Sequence, residues 1–165
     1  DVEEATMEER ISLNGKVAHI QYTFTYTGTI THPAVPQELP AVFVDAALKN
    51  LVFYDGDTPW SNKELRSVVP GWPNEGQRTT EHWAAYIDDS GWGVGVYTPG
   101  TEELTTYRYE GDGMQGATGS SCSYFAPIRI FSVEPGMVFK YDIYITIGQI
   151  DEIRERFRKI HKKDE

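Results

Sequence analysis

Two stretches of the chain concentrate side chains that could do chemistry. Residues 55–80, DGDTPWSNKELRSVVPGWPNEGQRTT, hold Trp60 and Trp72 among Asp57, Asn62, Asn74, Glu75 and Arg78. Residues 81–100, EHWAAYIDDSGWGVGVYTPG, set Trp83 and Tyr97 among glycines where a strand ordinarily carries bulk. Flat rings flanked by short polar groups suit a pyranose. Its C–H face stacks on a ring, and its rim hydroxyls pair with amides, carboxylates and guanidinium groups. Tryptophan on a solvent-facing loop is costly unless it packs or binds. The same residues also have a structural reading, in which Pro59-Trp60 and Trp72-Pro73 staple the loop to a sheet while Trp83 and Tyr97 fill a core.

The second stretch reads as a hairpin. Asp88-Asp89-Ser90-Gly91 suits a type I turn closed by a left-handed glycine. That turn pairs Trp83 with Tyr97, Ala85 with Gly95 and Ile87 with Gly93. One face then carries two rings beside nearly bare backbone, whereas Ala84, Tyr86, Val94 and Val96 make the other an ordinary core face. Glycine inside a strand marks close approach by a ligand or another backbone. In the binding reading, Trp83 and Tyr97 form a floor and Trp60 and Trp72 clamp from the loop. Asn74, Glu75 and Arg78 would then read hydroxyls.

Other chemistries are thinner. His19, His32, His82 and His161 lack zinc-ligand spacing, and no phosphate-cradling glycine motif or nucleophile elbow occurs. Asp55-Gly56-Asp57 resembles the start of a calcium loop but lacks its later oxygen ligands, so turn chemistry is the plainer account and calcium the alternative. Asp88-Asp89 and Asp112 read the same way, and no other cofactor is expected. Cys122, the single cysteine, has no basic neighbour to activate it. A lyase base could be drawn from His82 with Arg78, or from Tyr107 with Arg108. A glycosidase needs two acids flanking one bond, and none of the twenty-five acids is singled out.

Strands must position these residues. MEERISLNGKVAHIQYTFTYTG sets Asn14-Gly15 between alternating runs, the signature of a type I′ hairpin. Pairing Leu13 with Lys16 puts Ala5, Met7, Ile11, Ala18, Ile20, Tyr22 and Phe24 on one face. Further strands are expected at 38–44, 50–54, 82–88, 92–98, 104–109, 124–133 and 137–148. About nine strands joined by turns predict an all-β antiparallel sandwich over 1–148. The loop of residues 55–80 is unusually long, and SNKELRSV within it could form one helical turn. Residues 149–165 predict an amphipathic α-helix, with Ile150, Ile153, Phe157 and Ile160 on one stripe, that could lead into a neighbouring domain.

The chain of 165 residues carries a net charge of −10, which argues against nucleic acid, and no apolar run is long enough to enter a membrane. Residues 149–165 hold six Lys/Arg against five Asp/Glu, so they are about +1 and the remainder about −11. The chain begins at Asp1 rather than Met, as a mature or excised segment would.

EHWAAYIDDSGWGVGVYTPG together with FAPIRIFSVEPGMVFKYDIYITIGQIDEIRERF resembles strand-rich domains of bacterial polysaccharide-active proteins, some of galactose-mutarotase-like type. The resemblance covers about the last half of the chain and transfers no catalytic residue. It implies a carbohydrate context, an extracellular or periplasmic location and a polysaccharide or oligosaccharide partner, with an attached catalytic domain as a further partner. The leading expectation is a non-catalytic carbohydrate-binding module. The alternatives are a polysaccharide lyase or glycoside hydrolase fragment, or a structural domain packed on a catalytic neighbour through the helix.

Overall fold

The computed structural model describes residues 4–111, 113–114, 116 and 118–164. Asp112 and Glu165 lie outside the described residues. Among the described residues, twelve strands form two antiparallel sheets, and one helix follows. In chain order they are β1 (Ala5–Asn14), β2 (Val17–Tyr26), β3 (His32–Glu38), β4 (Val42–Asp45), β5 (Asn50–Phe53), β6 (Arg66–Val68), β7 (Glu75–Arg78), β8 (Trp83–Ile87), β9 (Trp92–Tyr97), β10 (Glu103–Tyr109), β11 (Cys122–Val133) and β12 (Val138–Gln149), then α1 (Ile150–Asp164). The larger sheet runs β1-β2-β12-β9-β8-β5-β6. The smaller runs β3-β11-β10-β7, with β4 also paired to β11.

Three expectations change in detail. The strand expected at 38–44 is β4, shifted to Val42–Asp45, and an additional strand, β3, ends at Glu38 before a cis Leu39-Pro40 bond. The long loop contributes β6 and β7 as sheet-edge strands, and SNKELRSV forms no helical turn. In the first hairpin, Asn14 pairs with Val17, so Gly15 and Lys16 are the central turn residues. Gly15 sits at φ 59. Glycine at the first central position marks a type II′ turn rather than type I′. The shift preserves strand parity, so every side chain keeps its expected face: Met7 opposes Phe24 and Ile11 opposes Ile20. Yet β1 overhangs the smaller sheet, leaving Met7, Ile11 and Leu13 exposed.

Between the sheets, Ile20, Leu51, Phe53, Tyr86, Val96, Leu104, Phe125 and Ile143 form the main core. Tyr86 spans it, donating its hydroxyl to the carbonyls of Tyr107 and Tyr124. A second core lies on the outer face of the larger sheet, beneath α1, and consists of Trp83, Ala85, Tyr97, Ile153 and Phe157. The architecture is therefore sheet on sheet with a helix as third layer.

The second core resolves the mixture of rings and glycines. The β8–β9 register is the expected one, Trp83 to Tyr97 and Ala85 to Gly95. What approaches the bare backbone is the helix. A Cβ on Gly95 would stand 2.5 Å from Cγ2 of Ile153 and 3.0 Å from Cε2 of Phe157. Trp83 and Tyr97 are only 1% and 2% exposed. The expected ligand floor is thus occupied by the protein's own helix, and neither ring can meet a glycan. The helix stripe is consumed in the same contact.

A buried ion pair fastens that layer. Glu81, fully buried, accepts from Arg154 Nη2 and the Trp60 amide at Oε1, both at 2.6 Å, and from Arg154 Nε and Trp83 Nε1 at Oε2, at 3.0 and 2.9 Å. Arg154 also donates to the Lys63 carbonyl and lies over the Tyr54 ring.

Two stability predictions follow from these layers. Trp83→Ala should cost about 3–5 kcal/mol and Gly95→Val about 1–3 kcal/mol in urea unfolding. A neutral or stabilising Gly95→Val would contradict the close helix packing. Arg154→Met should cost about 3–5 kcal/mol by stranding a buried carboxylate, and adding Glu81→Gln should recover part of that loss. Equal loss in the single and double variants would show that the ion pair is not what the helix depends on.

Candidate functional site

The seven residues singled out in the sequence divide between opposite faces of the sandwich. Trp60, Trp83 and Tyr97 gather at the helix side of the larger sheet. Trp60 is half-buried and takes a left-handed backbone, φ 61, so that its amide can reach Glu81. Its ring stacks on His161 near the end of α1, with centroids 4.7 Å apart, and meets Tyr97 edge-on. It fastens the loop to the end of α1 as well as to Tyr97 of the sheet.

Trp72, Asn74, Glu75 and Arg78 lie along β7 and the turn before it, at one edge of the smaller sheet. Trp72 is 63% exposed. Its ring stands edge-on to Tyr107 at 5.0 Å and 5.4 Å from Tyr109. The row continues inward, with Tyr107 stacked on Tyr124 at 4.3 Å and Tyr124 beside Phe43 at 4.9 Å. Register explains the row. Tyr107 pairs with Tyr124, and Tyr124 with Phe43, so β10, β11 and β4 each contribute one ring to the same outer face.

Polar groups border this face. Asn74 donates to Thr105 Oγ1 at 2.9 Å, which fixes its amide beside β10. Glu75 accepts from the Gly71 amide at 2.9 Å and so shapes the turn that carries Trp72. Arg78 pairs with Glu102 at 2.6 Å. Tyr124 donates its hydroxyl to Glu38. Burial pushes the Tyr107 and Tyr124 phenols above their ordinary pKa, and the Glu38 contact adds to the shift at Tyr124. Both therefore remain neutral hydroxyls near neutral pH. A groove of 380 Å³ opens between Trp72, Tyr109, Arg108 and Glu110.

Tyr107 and Tyr109 announce themselves by i, i+2 spacing in LTTYRYE, which puts both on one strand face. Phe43 and Tyr124 carry no such local mark, because only cross-strand pairing joins them to the row.

The residues weighed for catalysis and metal binding are also placed. His82 Nδ1 accepts from the Gly100 amide at 3.2 Å, and its Nε2 lies 3.8 Å from Glu102, which Arg78 already holds. Arg108 donates to Ser123 and to the Ala46 carbonyl. Asp55 is paired with Arg66 at 2.9 Å. No group of three His, Cys, Asp or Glu that could hold a metal ion occurs among the described residues. No helix among them is long and apolar enough to cross a membrane.

No protein-family model and no curated protein matches the chain. Among solved structures it is similar to a candidate aldose 1-epimerase from Escherichia coli K12, at 11% identity and TM-score 0.50, over 88% of this chain and 61% of that one. A second candidate aldose 1-epimerase, from Klebsiella pneumoniae subsp. pneumoniae MGH 78578, matches at 13% identity and TM-score 0.47, over 98% and 52%. The chain spans about half to three fifths of the length of these proteins. The likeness is one of fold, and it agrees with the galactose-mutarotase-like resemblance of the sequence.

His82 provides a pH test of the corner beside Glu81. Burial holds its imidazole below the ordinary value of 6.5, against the opposing pull of Glu102. Between that depressed value and 6.5 the unfolded chain binds more protons than the folded one. The contribution is therefore full above about pH 6.5 and is lost as pH falls. Replacing His82 by Asn, which tolerates its left-handed φ of 59, should flatten this part of the stability–pH curve. Identical curves for the two proteins would refute the assignment.

Proposed function

We propose that the chain is a non-catalytic carbohydrate-binding β-sandwich that holds a glycan on the outer face of its smaller sheet. Trp72 is the principal stacking ring, Tyr109 and Tyr107 extend the apolar surface, and Asn74, Arg78 and Glu110 meet hydroxyls at its border. The observation that supports this most directly is Trp72 itself. It is a large ring, 63% exposed, propped edge-on by a row of aromatics rather than folded into the core. A propped ring loses little conformational freedom on binding, so its stacking energy is not spent on ordering. The sugar-related fold neighbours agree with this reading.

A structural role has its own support. Leu13, Trp92 and Ile147 are exposed on the overhang of the larger sheet, and beside them lies a groove of 590 Å³. Exposed apolar surface of this kind is typical of contact with another domain.

The test is a panel of neutral polysaccharides, scored separately for retention of the protein and for release of new reducing ends. Retention without release is expected. Trp72→Ala should weaken the bound glycan by about 2 kcal/mol, the scale of one hot-spot ring, with little change in melting temperature. Tyr109→Ala should cost less. Unaltered affinity in Trp72→Ala would remove the stacking face from consideration, and turnover would favour the lyase or hydrolase reading.

A further inference from the structure

The outer face of the larger sheet bears a second feature, independent of Trp72 and on the opposite side of the sandwich. Beside α1, where the sheet is not covered by the helix, lies a groove of 460 Å³. Lys16 enters it from the β1–β2 turn, and Arg156, Lys159 and Lys163 from α1. Among the described residues, no acidic side chain lines it. In a chain of net charge −10, four cations around one concavity are unexpected.

Helix polarity accounts for part of this. Basic residues near the end of α1 complement its dipole. Arg156 is further held by Thr146 Oγ1 at 3.0 Å, the Ile147 carbonyl at 2.7 Å and Glu152 at 3.2 Å, and Lys159 lies 3.6 Å from Glu155. Lys16 is not explained this way, because it belongs to a hairpin turn distant in sequence. Among the described residues no carboxylate pairs with Lys16 or Lys163. Concave walls of low dielectric focus such a field on any anion that enters.

The groove also offers a ring. Tyr97, Tyr144 and His19 form a stacked row across β9, β12 and β2, with His19 on Tyr144 at 4.4 Å. Beyond His19 the opposing residue on β1 is Ser12, a small side chain that also lines the groove. The row of rings therefore ends at the cavity wall. Asp142 fixes the His19 ring through Nε2 at 2.7 Å.

We infer that this groove is a binding site for an anionic saccharide, a pyranose bearing a carboxylate or a sulfate. The negative group would sit between Lys16, Lys159 and Lys163. The sugar ring would lie against His19, with Ser12 and Arg156 beside its hydroxyls. The volume matches a site for one or two sugar rings.

Calorimetric titration of the full chain tests the assignment with four probes: trigalacturonate, a sulfated galactose trisaccharide, neutral trigalactose and inorganic sulfate. One or both anionic sugars should bind, more weakly as salt rises, and the preference between them identifies the acidic group. Lys16→Glu with Lys163→Glu should weaken that binding by about tenfold or more while leaving the melting temperature unchanged. Lys159→Gln, a milder change, should weaken it less. Trp72→Ala should leave it intact, so failure of this site and failure of the neutral-glycan face are distinguishable. The assignment is overturned if neither anionic sugar binds, if neutral trigalactose binds the Trp72→Ala protein as tightly as the anionic sugars do, if inorganic sulfate binds as tightly, or if the double charge reversal has no effect.

Discussion

The carboxylate of Glu81 is the constraint on which the helix-side layer depends. Taking a carboxylate and a guanidinium out of water costs several kcal/mol for each ion, and only complete hydrogen bonding offsets it. Here both oxygens of Glu81 are used twice, by Arg154, by the Trp60 amide and by the Trp83 indole. Each partner comes from a different part of the chain. A single buried charge therefore sets the relative positions of the long loop, the β8 strand and α1. The left-handed backbones at Trp60 and His82 are consistent with a corner whose geometry is imposed by this pairing.

Covering the larger sheet with α1 has consequences for binding. Close helix packing needs a strand nearly free of side chains, hence Gly95, with broad rings around it to fill the space, hence Trp83 and Tyr97. The features that would make a platform also make a seat for a helix. Burial distinguishes them, because a platform must remain wet. On the smaller sheet, by contrast, Trp72, Tyr109 and Phe43 stay exposed, as does Trp92 at the far end of the larger sheet.

The two candidate surfaces differ in electrostatic character. The Trp72 face is ringed by both signs, with Arg78 neutralised by Glu102. The groove beside α1 is basic within an otherwise acidic molecule. Charges of that kind act through focusing and ion pairing, whereas the aromatic face acts through burial of C–H surface.

Much of this architecture is legible in the sequence because it depends on near neighbours. Turn residues at 88–91, alternation along β2 and β12, and the spacing of Ile153 and Phe157 determine the β8–β9 register, the sandwich class and the buried stripe of α1. Edge strands β6 and β7 are too short to show periodicity, and Gly15 admits more than one turn type, so these are settled only by pairing. Asn74, Glu75 and Arg78 were recognisable as polar company for Trp72, but not the separation of that group from Trp60, Trp83 and Tyr97. Which element covers which face depends on contacts between residues as distant as Glu81 and Arg154, 73 positions apart. Local chemistry specifies strands, turns and the two sides of each sheet. Only the competition among distant apolar surfaces for the same covered area decides which aromatic rings are buried and which are left exposed.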